Sequence, residues 1–327
     1  MLLVVATAVQ ESVGNSDNNK PTLSSLNLLS VSGIILTIAI IWRVVDQFIL
    51  GLGNTWMNIM PSKLFPLLIL IGYFWTYKQS EIESVLGLSR RQLRVQILAG
   101  VIMVLLISIA IDIGSIFVYA SFIDPKYPLE FHVLNQNLLG YTFLFFLTNA
   151  LFEETLFRGL LQNSLKTHFS ANRAILLSAA VFGIWHAGWP LVNGSSGTAL
   201  LVQVSSMVFF TTILGLLFGV YYERFSSGQS LVGPIIAHTF FNFIGESFKI
   251  GPEPVIQGPD IVFSTPGLMT VSVLMFLIVF VVLFLVFWRY RIEQVTGLWN
   301  YLQEKTARKR CSAASAMPSE NDKQTEV

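Results

Sequence analysis

GLMTVSVLMFLIVFVVLFLVFW, residues 267–288, runs for 22 positions without an ionisable side chain. An α-helix rises about 1.5 Å per residue and the hydrocarbon core of a bilayer is about 30 Å thick, so about 20 apolar residues cross it. The stretch meets that length and reads as a spanning helix. Working outward from it, similar runs occupy 30–50, 59–77, 95–122, 138–161, 174–189, 201–222 and 231–248. Pro61 and Pro66 make the start of the second irregular. The fifth and seventh are short, which suits helices packed among others. The expected fold class is therefore all-α, a polytopic membrane helix bundle of about eight transmembrane helices.

Composition agrees. Of 327 residues only 12% are charged, against about 25% in an ordinary soluble domain, and 53% are hydrophobic. A water-soluble globule and a disordered chain are both excluded. A net charge of +1 supplies no footprint for phosphates, so nucleic acid is not an expected partner and the lipid bilayer is. The single cysteine, Cys311, forms no intramolecular disulfide and no cysteine-based zinc site. Any metal must be held by carboxylates and by the four histidines, His132, His168, His186 and His238.

Lysine and arginine fall in every second loop: Lys78, Arg90, Arg91 and Arg94, then Lys166 and Arg173, then Arg224, then Arg289, Arg291, Arg308, Lys309 and Arg310. Basic loops stay in the cytoplasm, which puts both termini there and suggests the plasma membrane. The expected organisation is an N-terminal cytoplasmic segment, 1–29, a membrane domain, 30–288, with its catalytic core at 138–248, and a basic then disordered tail, 289–327. Residues 1–9 are apolar but lack a basic n-region, a weak signal-peptide pattern.

An ionisable group inside a spanning helix costs about 2.5–3.5 kcal/mol on insertion scales and needs a reason. Those read as intramembrane are Arg43, Asp46, Asp112, Glu153, Glu154, Arg158, His186, His238 and Glu246. Arg43 and Asp46 are three apart and can pair. Asp112 has no local partner, and Glu246 sits near a helix end with Lys249 three residues on. In Phe152-Glu153-Glu154-Thr155-Leu156-Phe157-Arg158, the two glutamates project about 100° apart and are not expected to share a partner. Glu154 lies four residues before Arg158, the favourable order for an ion pair. That leaves Glu153 free to face another helix as a general base acting on water. Two later spans carry Phe182-Gly183-Ile184-Trp185-His186 and His238-Thr239-Phe240-Phe241-Asn242. His238 and Asn242 stack one turn apart, and Gly183, Ala187 and Ala237 permit close helix approach. The set suits acyl-bond hydrolysis, with Glu153 and His186 activating water while His238 and Asn242 stabilise the oxyanion. It suits equally a metal-assisted version in which His186 and His238 hold zinc. The His-Glu-x-x-His spacing of zinc peptidases is absent.

Glu-Glu-x-x-x-Arg, then Phe-x-x-x-His, then His-x-x-x-Asn, each in a span, resembles the CPBP family of intramembrane proteases, which includes CAAX prenyl endopeptidases and bacterial bacteriocin-processing and self-immunity (Abi) proteins. The resemblance covers about residues 138–245. It implies an intramembrane endopeptidase, often called a metalloendopeptidase, acting on a peptide or membrane-protein substrate that is prenylated in the CAAX branch. By the same resemblance Glu153 is the essential glutamate, Arg158 its stabiliser through Glu154, His186 the second-motif histidine, and His238 and Asn242 the third-motif pair. Zinc stays open as a cofactor. Arg158 precedes a basic loop, so a cavity open to the cytoplasmic side is expected. A non-catalytic scaffold or immunity protein that keeps the motif for packing is the alternative.

Overall fold

A computed structural model describes residues 23, 26–51, 60–188, 190, 196–252 and 265–315. The apolar N-terminal residues read as a weak signal and the last twelve residues of the tail lie outside the described residues. The chain is almost wholly helical. Helix α1 is Leu28–Ile49, α2 is Pro61–Tyr77, the short α3 is Ile82–Leu86, and α4 is Leu93–Phe122. Helix α5 covers residues 139–165, α6 is Ala171–Trp185, α7 is Gly197–Phe225, α8 is Val232–Ser247, α9 is Pro266–Arg289 and α10 is Ile292–Ser315.

Each expected apolar run thus coincides with a helix. Among the described residues four of them, α1, α4, α7 and α9, are long and apolar enough to cross a bilayer, so the expected count of eight is not confirmed. Three others have 17, 15 and 16 residues, α2, α6 and α8, and reach only about 22–25 Å. The fourth, α5, carries Glu153, Glu154 and Arg158. The tail also differs from expectation, because α10 continues through Ser312–Ser315.

Local sequence sets the helix starts. Asn27 accepts from the Ser30 amide at 2.7 Å, and Thr265 accepts from the Leu268 amide at 3.1 Å with Pro266 at the first helical position. Four helices contain or end in π turns: Val45–Ile49, Ile109–Gly114, Thr155–Gln162 and Tyr221–Phe225. Each widens the helix by about one residue per turn, and each contains a charged residue, Asp46, Asp112, Arg158, or Glu223 with Arg224.

The basic loops gather at one end of the bundle. There Lys166 pairs with Glu223 at 2.8 Å, Arg224 donates to Asn172 at 2.7 Å, and the Leu231 amide donates to the Gly87 carbonyl at 2.6 Å. At the other end two three-residue strands, β1 Phe131–Val133 and β2 Phe248–Ile250, pair antiparallel with His132 opposite Lys249. They tie the segment before α5 to the end of α8. His132 is used there, its Nε2 at 2.9 Å from the Gly251 carbonyl.

Among the described residues the two largest of five apolar clusters make up most of the core. One joins α1, α2, α3, α5 and α6 through residues such as Ala39, Leu70, Val85, Phe157 and Phe182. The other joins α4, α7, α8 and α9 through Ile107, Leu217, Phe218, Ala237 and Phe276. In lipid such contacts stabilise by close packing, so small residues matter where backbones meet. Gly159 of α5 lies against the Val85 carbonyl, and Gly183 of α6 lies against Thr212 and the Val208 carbonyl of α7. A Cβ at either position would collide with these atoms.

Candidate active site

The seam between the two clusters holds the charged motif. Glu153, Glu154 and Arg158 are at most 1% exposed and follow one another along α5 into its π turn. Arg158 Nη1 donates to Glu154 Oε1 at 3.1 Å, the ion pair that the four-residue spacing predicts. The guanidinium also lies 4.1 Å from the centre of the Phe182 ring and 5.5 Å from that of Phe218. Ring faces on two helices thereby fix its place.

Glu153 is not free. Lys63, on the first turn of α2, donates to its Oε1 at 2.6 Å, and both side chains are buried, 3% and 1% exposed. Trp185 Nε1 donates to the same oxygen at 3.0 Å. Lys63 Nζ in turn lies 5.0 Å from the centre of the Trp185 ring. Oε2 accepts no hydrogen bond among the described residues and faces two imidazoles, His186 Nε2 at 3.7 Å and His238 Nε2 at 3.7 Å.

The two glutamates do share a partner, against the expectation drawn from their 100° separation. His238 Nδ1 is 2.8 Å from Glu154 Oε1 while its Nε2 faces Glu153. An imidazole carries nitrogens on opposite edges, so one ring from a neighbouring helix bridges carboxylates that diverge on their own. His186 is held likewise, Nδ1 at 2.8 Å from the Phe182 carbonyl, its ring 4.6 Å from that of Phe182. A carbonyl and an ion-paired carboxylate only accept hydrogen bonds. Both Nδ1 atoms therefore carry hydrogen, and in the neutral rings both Nε2 lone pairs face Glu153 Oε2.

Asn242 lies one turn beyond His238 on α8, half-buried, and makes none of the hydrogen bonds of this cluster. Arg43 and Asp46 form their expected pair at 3.5 Å, behind Lys63, with Arg43 Nη1 3.4 Å from Ser62 Oγ. Asp112 falls in the π turn of α4 outside the cluster, where the charge of Lys249 acts on it. Glu246 is half-buried near the end of α8.

Sequence reasoning missed Lys63 and Trp185. Lys63 lies inside the second apolar run, the same signal that singled out Arg43. Trp185 directly precedes His186.

Among the described residues no group of three or more His, Cys, Asp or Glu is found as a metal site. Two cations, Lys63 and Arg158, each pair with a carboxylate of the cluster.

Among the described residues the bundle is closely packed toward the basic loops. Gly159 meets the Val85 backbone there, and Tyr222, Ser230 and Leu231 are fully buried. Among the described residues the half-exposed ones near the cluster lie toward the opposite end: Trp185, His186, and Asn242 with the residues that follow it on α8. Residues 159–165 and the turn before α8 fill the side of the basic loops.

Residues 135–244 match the family model described as type II CAAX prenyl endopeptidase, Rce1-like. The match covers about a third of the chain. The resemblance read from the three motifs is thus borne out, and the Rce1-like stretch contains Glu153, Glu154, Arg158, His186, His238 and Asn242. Lys63 lies outside it. No curated protein and no solved structure gives a significant match to the chain. With an Rce1-like segment and four apolar helices of bilayer length, the chain is an integral membrane protein.

Proposed function

We propose that the chain is an intramembrane endopeptidase of the CAAX type in which Glu153 activates a water molecule. The observation that carries the reading is Glu153 Oε2, buried, accepting no hydrogen bond, and 3.7 Å from each of two imidazole nitrogens. Polar atoms at that separation are too far apart to bond directly, and the reading places a water beside them, in reach of both. Such a water directs one hydrogen to Oε2 and the other to a histidine Nε2, leaving its lone pairs for a carbonyl carbon. As its oxygen bonds to that carbon, Glu153 takes the proton, and on collapse of the intermediate returns it to the departing amine as the C–N bond breaks. The Asn242 amide, uncommitted and one turn from His238, donates to the oxyanion. Glu154 and Arg158 orient His238. No step requires a metal.

The substrate is a peptide or membrane protein reaching the site from the bilayer or from the end bearing the β ribbon, with a prenyl group on the substrate as in the CAAX branch. By the positive-inside rule the basic end and both termini face the cytoplasm, in the plasma membrane.

The test compares new protein termini in membranes from cells carrying the wild-type chain and cells carrying Glu153→Gln at equal abundance. Cleavages confined to wild type are expected, because removing a general base costs on the order of 10²–10⁴-fold in rate. Identical termini in the two would overturn the reading.

One observation favours a second reading. Lys63 neutralises Glu153 at 2.6 Å, as a purely structural ion pair would. A non-catalytic scaffold or immunity protein built this way keeps its biological function in Glu153→Gln.

A further inference from the structure

We infer that Lys63 is a positioning residue for Glu153, recruited from a helix that carries none of the three motifs. The inference rests on the proteolytic reading above. Its geometric basis is the division of labour between the two carboxylate oxygens. Oε1 receives both strong donors, the Lys63 ammonium at 2.6 Å and the Trp185 indole at 3.0 Å. Two donors on one oxygen fix the plane of the carboxylate, and Oε2 is left facing both imidazoles.

Lys63 is itself held. Its ammonium lies over the Trp185 ring. The neighbouring Ser62 accepts from Arg43, and Arg43 is paired with Asp46, itself 1% exposed. Asp46 acts electrostatically on Lys63, and Glu153 on Arg43. Arg43 repels the Lys63 ammonium more than Asp46 attracts it, so Glu153 supplies its charge compensation. A buried ammonium without such a carboxylate partner is costly. Lys63 does not touch a substrate. It sets which oxygen of Glu153 meets the water.

The chain has four histidines, two in the cluster and two, His132 and His168, outside it. Nitrogen-15 spectra of histidine-labelled full-length protein in lipid nanodiscs therefore give four imidazoles, assigned by single His→Gln variants. Lys63→Met is expected to move the signals of His186 and His238, to leave those of His132 and His168 in place as a control on the fold, and to be reversed by Lys63→Arg. Against a cleaved peptide, Lys63→Met is expected to lower kcat about 100-fold, the scale of an ångström-sized misplacement, with KM within about twofold of wild type. Lys63→Arg is expected to restore most of kcat.

Unmoved His186 and His238 signals in Lys63→Met overturn the inference. Moved signals with unchanged kcat also overturn it and leave the pair as packing. A wild type that cleaves nothing ends the proteolytic reading alone, and the imidazole spectra still decide whether Lys63 orients Glu153.

Discussion

At the scale of single residues, Arg158 has the largest expected effect on stability. Glu154 is fully buried and takes its charge compensation from Arg158 at 3.1 Å. Arg158→Ala is expected to cost about 3–5 kcal/mol in reversible unfolding in detergent, as when one partner of a buried pair is removed. A loss below about 1 kcal/mol would mean that His238 alone satisfies Glu154. This pair was legible in the sequence because residues four apart meet on any helix. The grip of Lys63 on Glu153 was not, because the two are 90 residues apart and spacing carries no information about a contact between separate helices. The shared histidine escaped for a related reason. The angle between Glu153 and Glu154 is a property of one helix, whereas the bridging is done by a ring from another.

At the scale of elements, the places of the helices were legible from hydropathy and their hydrogen-bond registers were not. The π turns depend on how polar residues pack, and three-residue strands such as Phe131–Val133 are too short for alternation to show. Close approach is legible as glycine within an apolar run, and Gly183 shows what it accomplishes. It lets α6 sit against α7 while α6 carries His186 at its end. Gly183→Ala is expected to destabilise by about 1–3 kcal/mol through overpacking and to lower cleavage by displacing His186. Gly72→Ala in α2, where nothing lies within 4 Å of an added Cβ, serves as the control and is expected to change stability by less than about 1 kcal/mol. Equal effects from the two variants would contradict the account of the α6–α7 contact.

At the scale of the whole molecule, the site sits between two large apolar clusters and is closely packed toward the basic loops. In a Cys311→Ser background, Asn242→Cys is expected to react with an impermeant thiol reagent applied from the face opposite those loops. Phe157→Cys, at a fully buried position, is expected to stay unreactive from both faces. Labelling of Asn242→Cys only from the basic face would reverse the assignment of the open end. The separation of Lys63 from Glu153 along the chain also bears on how the molecule is made. Synthesis proceeds from the N-terminus at roughly 5–20 residues per second, so Lys63 is made roughly 5–20 seconds before Glu153. During that interval the ammonium has no carboxylate from α5. Its place on the first turn of α2 lets the long side chain reach up to the headgroup layer and wait there. Glu154 and Arg158, in contrast, leave the ribosome almost together and can insert already paired. Assembly of the charged seam is therefore a late event, completed only when Glu153 has been made and meets Lys63.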